Sequence, residues 1–252
     1  MRDTFSFIAP RYDLLNHLLS LWLDKLWRRR TARRFAHILA RPDARALDLC
    51  CGTGDLAIAL KKEARREAQR RGAPEGATVW GSDFARPMLR LAHEKVSEGA
   101  PRTSEVESGD AAPSLTAIAL IEADALSLPF PDASFDLVST AFGFRNLVNY
   151  AAGLREIYRV LKPGGEVGIL EFASPHIPVM APLYRFYFTH ILPRVGGAIS
   201  GSNAAYSYLP ASVAKYPSPH ELVELMSRAG FAGARFERWA AGIVTLHSAR
   251  RA

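Results

Sequence analysis

Short apolar runs alternate with longer amphipathic stretches along the chain, and this alternation predicts its elements. Five short runs, bounded by Gly, Pro or acidic residues, read as buried strands of a parallel sheet. These strands cover residues 46–49, 77–83, 117–122, 135–140 and 166–172. Apolar residues at helical spacing predict helices over 56–71, 86–97, 150–161 and 219–229. Two last strands, 231–239 and 242–249, are expected to form an antiparallel pair across Ala240–Gly242.

Strands that alternate with helices favour an α/β fold with a mostly parallel sheet of about seven strands, covered by helices on both faces. The 252 residues suffice for one domain with a full core, and no internal repeat is evident. We therefore expect one domain over 1–252, with its core in 41–252 and insertion helices near 176–216. Residues 99–117, rich in small and polar residues, read as a surface loop.

The N-terminal segment, 1–40, is expected to be helical because apolar residues recur there at helical spacing. It carries a dense basic group, made of Lys25, Arg28, Arg29, Arg30, Arg33 and Arg34. Two interpretations remain open. The segment is a helical cap whose basic face is solvated, or it is a lid over an apolar substrate that also touches anionic lipid headgroups.

Composition narrows the class of protein. With 48% apolar and 23% charged residues, the chain is globular rather than disordered. Its formal net charge of +7 suits solubility, nucleic acid or an anionic membrane surface. No apolar run reaches the roughly 18–20 residues that span a bilayer, and the N-terminus does not resemble a cleavable signal peptide. We expect a cytoplasmic protein, at most peripheral at the inner face of the membrane.

The cysteine and histidine residues do not predict a metal site. Cys50 and Cys51 are adjacent, and the chain has no third cysteine. Sequence neighbours are poorly placed for a relaxed disulfide, so both are expected to be small buried residues in a reducing compartment. The histidines are scattered, and the cysteine pair lacks the spacing of metal ligands.

A Gly-rich turn follows the first predicted strand, in the stretch ARALDLCCGTGD at 44–55. Gly52, Thr53 and Gly54 predict a strand–turn–helix connection whose helix N–H groups face a cleft. Such a turn fits many nucleotide folds, but the Gly-Lys-Ser/Thr and third spaced glycine of phosphate sites are missing. Asp48 and Asp55 flank the turn, and carboxylates suit a ligand with an amino group better than a pyrophosphate. S-adenosylmethionine is therefore the expected cofactor.

Acidic residues end the next two predicted strands. Asp83 is placed to bind both ribose hydroxyls of the cofactor, and the alternative is an N-cap for helix 86–97. Asp124 could accept a hydrogen bond from the adenine amino group, and the alternative is that it starts a turn. The fourth strand leads into Ala141-Phe142-Gly143-Phe144-Arg145-Asn146, a loop with two strong polar groups at an edge that carries function in such sheets.

Five motifs together resemble those of class I S-adenosylmethionine-dependent methyltransferases, namely LDLCCGTGD, GSDFARPML, ADALSLPFPDASFD, FGFRN and YRVLKPGG. The chain is most similar to the ubiquinone/menaquinone biosynthesis C-methyltransferases (the UbiE/MenG type), also from Phe5 through Trp27-Arg28 and in LPRVG, SYLPASV and AGIVTLH. The resemblance covers nearly the whole chain. Its most diagnostic parts are FG-x-RN at 142–146 and YD-x-x-N at 12–16. The chain departs from the family at Ala141, where many members carry Ser, at Trp22 in place of a usual Gly, and in the length of 99–117.

The resemblance implies a Rossmann-like class I methyltransferase with a helical lid at 1–40 and S-adenosylmethionine as the cofactor. It also implies methyl transfer to a ring carbon of a prenylated quinol, with demethylmenaquinol the leading acceptor and a ubiquinone precursor the alternative. The expected cofactor-binding residues are Asp48, Gly52, Thr53, Gly54, Asp83, Phe84, Asp124, Ala125 and Ala141. A homodimer is a further expectation.

The resemblance places Arg145 and Asn146 beside the substrate ring. Asp13 or Tyr12 could contact the hydroxyl of the quinol from the N-terminal lid. Arg145 stays protonated, so stabilising a quinolate or orienting a water suits it better than acting as a base. Asp13 as a packing residue is an equal alternative. The prenyl tail is expected on an apolar surface that includes Tyr184, Phe188, Tyr206 and the N-terminal helix.

Two further points stay open at the level of sequence. His190 and His247 could titrate near neutral pH, although a lone histidine in an apolar setting is structural more often than catalytic. A non-catalytic module that binds a nucleotide, and nucleic acid through its basic helix, is the rival class. The FG-x-RN loop argues against it because a binding module needs no such polar pair, so no nucleic-acid partner is expected.

Overall fold

The computed structural model describes residue 20 and residues 23–98, 118–173, 212–213 and 215–252. The strands are β1 (Arg45–Leu49), β2 (Thr78–Asp83), β3 (Ile118–Glu122), β4 (Phe135–Ala141), β5 (Leu161–Phe172), β6 (Phe231–Trp239) and β7 (Val244–Arg251). The helices are α1 (Leu23–Arg34), α2 (Ala36–Leu39), α3 (Asp55–Arg70), α4 (Arg86–Glu98), α5 (Tyr150–Val160) and α6 (Pro219–Arg228).

The strands form a seven-stranded sheet in the order β3-β2-β1-β4-β5-β7-β6. Strands β1 to β5 pair in parallel, whereas β7 lies antiparallel between β5 and β6. The carboxyl ends of β1 to β5 therefore share one edge of the sheet, where the loops that follow them meet. The predicted mostly parallel sheet and the antiparallel final pair are confirmed.

Apolar cores cover both faces of the sheet because successive residues of a strand point to opposite sides. On one face, Leu47 packs in a cluster that includes residues of α5 and α6, such as Ile157 and Leu222. On the other face, Ala46 packs in a cluster that includes Phe35 and residues of α3, such as Leu60. The central strands β1 and β4 are thus buried on both sides, as their continuous apolar runs predicted, whereas the edge strand β3 is only partly buried.

Two strands begin two or more residues away from their predicted starts. Strand β5 begins at Leu161 rather than at residue 166, because Lys162–Gly165 forms a bulge within the strand instead of a turn before it. Gly164 has a φ of +77°, and Lys162 Nζ donates to Asp136 Oδ2 at 2.7 Å, which holds the bulge against β4. Strand β7 begins at Val244 because Ala240–Gly242 forms a 3₁₀ turn with positive φ angles.

Helix α1 buries one side and exposes a basic side, as an amphipathic cap does. Lys25, Arg29, Arg30 and Arg33 are exposed, whereas Arg28 and Arg34 are partly buried. Arg34 Nε donates to Glu237 Oε1 at 3.2 Å, and Arg28 pairs with Asp24. The predicted basic group therefore divides into an exposed part and a part that stabilises the fold.

His247 is a buried structural residue in β7, as its alternative interpretation predicted. It has no exposed surface, and its Nε2 lies 3.1 Å from the carbonyl oxygen of Pro219, to which it donates. Burial lowers the pKa of His247 to about 4. The other histidine candidate, His190, lies outside the described residues.

Acid is expected to destabilise the fold through His247. Its folded pKa of about 4 lies below the ordinary value, so the unfolded chain binds more protons as pH falls toward 4. Lowering the pH from 7 to 5 should therefore reduce the free energy of unfolding by about 2 kcal/mol through this residue. One pKa unit corresponds to about 1.4 kcal/mol. Urea unfolding of the wild type and of His247→Gln at both pH values measures the effect.

The difference between the two proteins is the relevant quantity, because other buried groups also titrate. The pKa values of Asp48 and Asp83 are raised, and raised carboxyl pKa values increase stability as pH falls. These contributions are common to both proteins and cancel. An equal pH dependence in wild type and His247→Gln would contradict the prediction.

Candidate active site

The turn after β1 has the strand–turn–helix geometry that its sequence predicts. Cys50 has a φ of 55°, Gly54 has a φ of 84°, and helix α3 begins at Asp55. A Cβ atom on Gly54 would lie 3.3 Å from the Cβ atom of Ala92 in α4, so the turn also packs closely against that helix. Both thiols of the Cys50–Cys51 pair are free, and burial raises their pKa values, so they stay protonated.

Asp48 is a buried residue of β1 and lies just before the turn. Its exposed fraction is 1%, and its Oδ2 accepts a hydrogen bond from the N–H of Ala57 at 2.8 Å, near the start of α3. Its Oδ1 is buried with no hydrogen-bond partner among the described residues. Burial raises the pKa of Asp48 well above its usual range, and the charges of Asp83 and Asp55 raise it further.

Asp83, at the end of β2, joins the turn to helix α4. Its Oδ2 accepts from the N–H of Gly52 at 2.9 Å, and its Oδ1 accepts from the N–H of Ala85 at 2.9 Å. Burial raises its pKa, while these backbone hydrogen bonds act in the opposite direction. Ionised carboxylate oxygens have about four acceptor positions in total, so Asp83 keeps capacity for a ligand while it holds the turn.

The side chain of Thr53 takes part in a charged network behind the turn. Lys95 Nζ donates to Thr53 Oγ1 at 2.9 Å and to Asp55 Oδ1 at 2.8 Å. The other carboxylate oxygen of Asp55 lies 4.0 Å from Arg28 Nη1 in helix α1. The network therefore connects the turn to both α4 and the N-terminal helix.

The remaining predicted cofactor residues lie at the ends of β2, β3 and β4. Asp124 is exposed and starts a turn, as its alternative predicted, because its Oδ1 accepts from the N–H of Leu126 at 2.9 Å. Ala125 is 7% exposed and belongs to the core. Phe84 and Ala141 are partly buried, directly after β2 and at the last position of β4.

The loop after β4 contacts the turn after β1. Phe142 has a φ of 62°, an uncommon conformation for a side chain of this size. A Cβ atom on Gly143 would lie 2.5 Å from the Cβ atom of Cys50, which leaves no room for a side chain. Two loops with strained backbone, one from each neighbouring strand, therefore meet at this point.

Arg145 forms a buried ion pair with Glu171. Arg145 Nη1 donates to Glu171 Oε2 at 2.9 Å, and the backbone N–H of Arg145 donates to Glu171 Oε1 at 3.1 Å. The two side chains are 5% and 0% exposed. Arg145 also donates to the carbonyl oxygen of Phe142, and its guanidinium lies 5.7 Å from the ring centre of Phe172. The orientation of Arg145 is thus set by four contacts.

Glu171 and Lys95 were not identified from the sequence. A signal for Glu171 was present, since it is the one acidic residue inside the apolar run VGILEF, and a buried carboxylate needs a partner. Nothing in the sequence placed that partner 26 residues earlier, in the loop after β4. Lys95 gave no signal because lysines are common on exposed helix faces.

Several predicted residues cannot be placed. Tyr12, Asp13, Trp22, Tyr184, Phe188, Tyr206 and the range 176–211 lie outside the described residues. Among the residues that are described, Asn146 lies in a 3₁₀ turn beside Arg145. No group of His, Cys, Asp and Glu in that part of the chain could hold a metal ion.

Comparison with known proteins assigns the family. Residues 1–251 match the ubiE/COQ5 methyltransferase family. The chain belongs to the ubiE/COQ5 methyltransferase family. It is 45% identical to a demethylmenaquinone methyltransferase from Thermus thermophilus, over 96% of this chain and 97% of the relative. It is 38% identical to a ubiquinone/menaquinone biosynthesis C-methyltransferase from Geobacter sulfurreducens, over 100% of this chain and 88% of the relative.

Solved structures show the same fold for this member of the ubiE/COQ5 family. A SAM-dependent methyltransferase from Thermotoga maritima aligns over 100% of both chains with a TM-score of 0.63 and 16% identity. One from Aquifex aeolicus aligns over 88% of this chain and 89% of its own length, with a TM-score of 0.56 and 17% identity. The expected Rossmann-like class I fold is confirmed.

Proposed function

We propose that the protein transfers a methyl group from S-adenosylmethionine to a ring carbon of demethylmenaquinol, which gives menaquinol. The geometry that carries the proposal is the contact between Cys50 and Gly143, which joins the turn expected to hold the donor to the loop expected to hold the acceptor. The relative from Thermus thermophilus, named demethylmenaquinone methyltransferase, indicates which acceptor to expect.

The residues at the turn fit a sulfonium cofactor with an amino group. Asp48 Oδ1 is buried without a partner among the described residues, and an ammonium group would give it a donor. A positive ligand would also relieve the repulsion that Asp83 and Asp55 exert on Asp48. Asp83 would bind the ribose, and Gly52 and Gly54 would allow close approach of the ligand to the backbone. When bound, S-adenosylmethionine supplies an electrophilic methyl group.

The loop after β4 would act on the acceptor. A ring carbon of the quinol becomes nucleophilic when the neighbouring hydroxyl loses its proton, so the protein must align that carbon and stabilise the oxygen. Arg145 carries a permanent positive charge at the required edge of the sheet. Glu171 would hold the guanidinium in one orientation, and Asn146 would offer both a donor and an acceptor next to it. Tyr12 and Asp13 stay predicted contacts from the N-terminal lid.

Incubation with labelled S-adenosylmethionine and a panel of reduced prenylated quinones tests the function. The panel should contain naphthoquinols and benzoquinols, because the relative from Geobacter sulfurreducens carries both ubiquinone and menaquinone in its name. Mass spectrometry should find a product heavier by one methylene from the naphthoquinols. No such product from any quinol would contradict the function, and a product from benzoquinols alone would reassign the acceptor.

Peripheral contact with an anionic membrane is a further part of the proposal. None of the helices in the described residues combines the length and apolarity needed to cross a bilayer. Helix α1 exposes Leu23 (40%) and Leu26 (56%) on the side that carries Arg29, Arg30 and Arg33. Apolar and basic side chains on one side of a helix are typical of interfacial binding. The helix would bring the enzyme to a prenylated substrate dissolved in the bilayer.

Charge reversal on α1 is expected to weaken binding to anionic vesicles. Each basic residue near such a surface contributes about 1 kcal/mol, so Arg29→Glu/Arg33→Glu should lower the affinity by roughly tenfold or more. Co-sedimentation with vesicles that contain phosphatidylglycerol measures it. Arg70→Glu/Arg228→Glu makes the same change of charge on α3 and α6 and should retain the binding. An equal loss of vesicle binding in both variants would indicate a nonspecific effect of net charge and would contradict the proposal.

The single domain over 1–252, with its lid at 1–40, and the homodimer remain predictions. Size-exclusion chromatography with light scattering measures the oligomeric state directly.

A further inference from the structure

Tyr216 carries a buried hydroxyl group that has no role in the active site proposed above. No hydrogen-bond partner for this hydroxyl is found among the described residues, although its oxygen is buried. A buried hydroxyl without a partner is destabilising, so its presence needs an explanation such as a ligand or a water. Tyr216 precedes helix α6 by a short stretch of chain and packs against the core cluster of α5 and α6.

The surroundings of Tyr216 connect it to the Arg145–Glu171 pair. Its ring lies 5.6 Å from the ring of Tyr150 in an edge-on arrangement, and the Tyr150 hydroxyl donates to the carbonyl oxygen of Arg145 at 3.1 Å. The charges of Glu171 and Arg145 both act on the Tyr216 hydroxyl. The hydroxyl therefore lies near the loop that is expected to hold the acceptor.

The order of strands separates this region from the cofactor residues. Of the expected cofactor residues, Asp48 lies in β1, Asp83 ends β2 and Asp124 follows β3, and these strands form one half of the sheet. Arg145 and Glu171 belong to the loop after β4 and to β5, on the other side of β1. A ligand that reaches Tyr216 from the site is thus expected to be the acceptor rather than the nucleoside of the donor.

We propose that the Tyr216 hydroxyl donates a hydrogen bond to a ring oxygen of the acceptor quinol and so selects the oxygen that loses its proton. The inference rests on the proposed function. Burial, and after it the negative charge of Glu171, raises the pKa of Tyr216 well above its usual range, although the charge of Arg145 acts in the opposite direction, so the phenol stays protonated and acts as a donor. No proton leaves Tyr216 in this role, and the proton that the quinol hydroxyl loses goes to water. The hydrogen bond strengthens as negative charge develops on the quinol oxygen, which favours the reactive form.

Tyr216→Phe removes only the hydroxyl and tests the inference. With reduced demethylmenaquinone of short prenyl tail, kcat/KM should fall about 10- to 100-fold, the range expected for loss of a hydrogen bond to a charged group. The acidic limb of the pH profile of kcat should move to higher pH, because the bound quinol ionises less readily. The Kd of S-adenosylmethionine should not rise, and the urea midpoint of the apo protein should not fall.

Each measurement has an outcome that overturns the inference. Unchanged kcat/KM and pH profile would mean that the hydroxyl binds a water or nothing. A lower urea midpoint with an unchanged pH profile would mean a structural hydroxyl. Tyr158→Phe, the same change on α5 away from the Arg145–Glu171 pair, is the matched control and should leave all values unchanged. If the wild type methylates no quinol, the proposed function fails instead, so the two failures are distinguishable.

Discussion

Replacement of Glu171 by Gln is expected to lower the free energy of unfolding by about 3 to 5 kcal/mol, the usual cost of removing one partner of a buried ion pair. The Arg145 and Glu171 side chains are 5% and 0% exposed, so solvent screens neither charge. The amide keeps the size of the carboxylate and one acceptor oxygen. The loss therefore reports the charge of Arg145 that is left uncompensated, not a cavity.

A double-mutant cycle separates the pair from its surroundings. Urea unfolding compares Glu171→Gln, Arg145→Gln and the double variant. The double variant should lose clearly less unfolding free energy than the two single variants lose in sum. The losses of unfolding free energy in the two single variants should also differ in their pH dependence. A carboxylate left alone in Arg145→Gln can take up a proton at low pH, whereas a guanidinium left alone in Glu171→Gln cannot lose one.

An exposed ion pair serves as the matched control for this loss of unfolding free energy. Arg228 and Glu224 form a pair at 3.3 Å on helix α6, with side chains 75% and 65% exposed. Glu224→Gln should change the unfolding free energy by less than about 1 kcal/mol, as exposed pairs do. Additive costs in the Arg145–Glu171 cycle, or a cost for Glu171→Gln as small as for Glu224→Gln, would show that the pair is not energetically coupled.

Replacement of Asp83 by Ala is expected to raise the Kd of S-adenosylmethionine by roughly 100-fold. The substitution removes the acceptor of two backbone N–H groups, from Gly52 and Ala85, and with them the expected ribose contact. Hydrogen bonds to charged groups contribute about 1.5 to 3 kcal/mol each, and every 1.4 kcal/mol or so is a factor of ten in affinity. Isothermal titration calorimetry of the purified protein measures the Kd.

Arg145→Ala is the comparison that separates the two halves of the site. It should spare the Kd of S-adenosylmethionine and lower turnover of the quinol, because Arg145 lies in the loop after β4. Asp83→Asn, which keeps one acceptor oxygen, should fall between wild type and Asp83→Ala. Equal loss of cofactor affinity in Asp83→Ala and Arg145→Ala would overturn the division of roles.

The parts of the fold set by local patterns could be predicted from the sequence. The run before Cys50 and the glycines after it predicted strand, turn and helix, and the helix begins within one residue of the expected position, at Asp55. The antiparallel end was also predictable because a short connection, which contains the 3₁₀ turn Ala240–Gly242, joins β6 to β7. The bulge at Lys162–Gly165 was missed because a turn signal and a bulge signal share the same Pro-Gly-Gly composition.

The site could be predicted only as far as position in sequence determines position at the sheet edge. The position of Asp83 beside the turn after β1 was predictable because the end of a parallel strand lies beside the end of its neighbour. The identity of its partners, Gly52 and Ala85, required coordinates. Glu171 was missed because its role depends on a contact with Arg145, and a single sequence does not show which two buried charges meet.

The contact between Gly143 and Cys50 limits how acceptor specificity can change. A side chain at position 143 would push against the donor turn, since its Cβ atom would lie 2.5 Å from the Cβ atom of Cys50 and 3.1 Å from the carbonyl oxygen of Cys50. Loop exchange between relatives would therefore disturb methyl-donor binding along with quinol recognition. Variation is easier at Val148, which is 83% exposed just beyond the loop. New acceptors are thus more accessible to evolution, and to design, through the periphery of the loop than through its first residues.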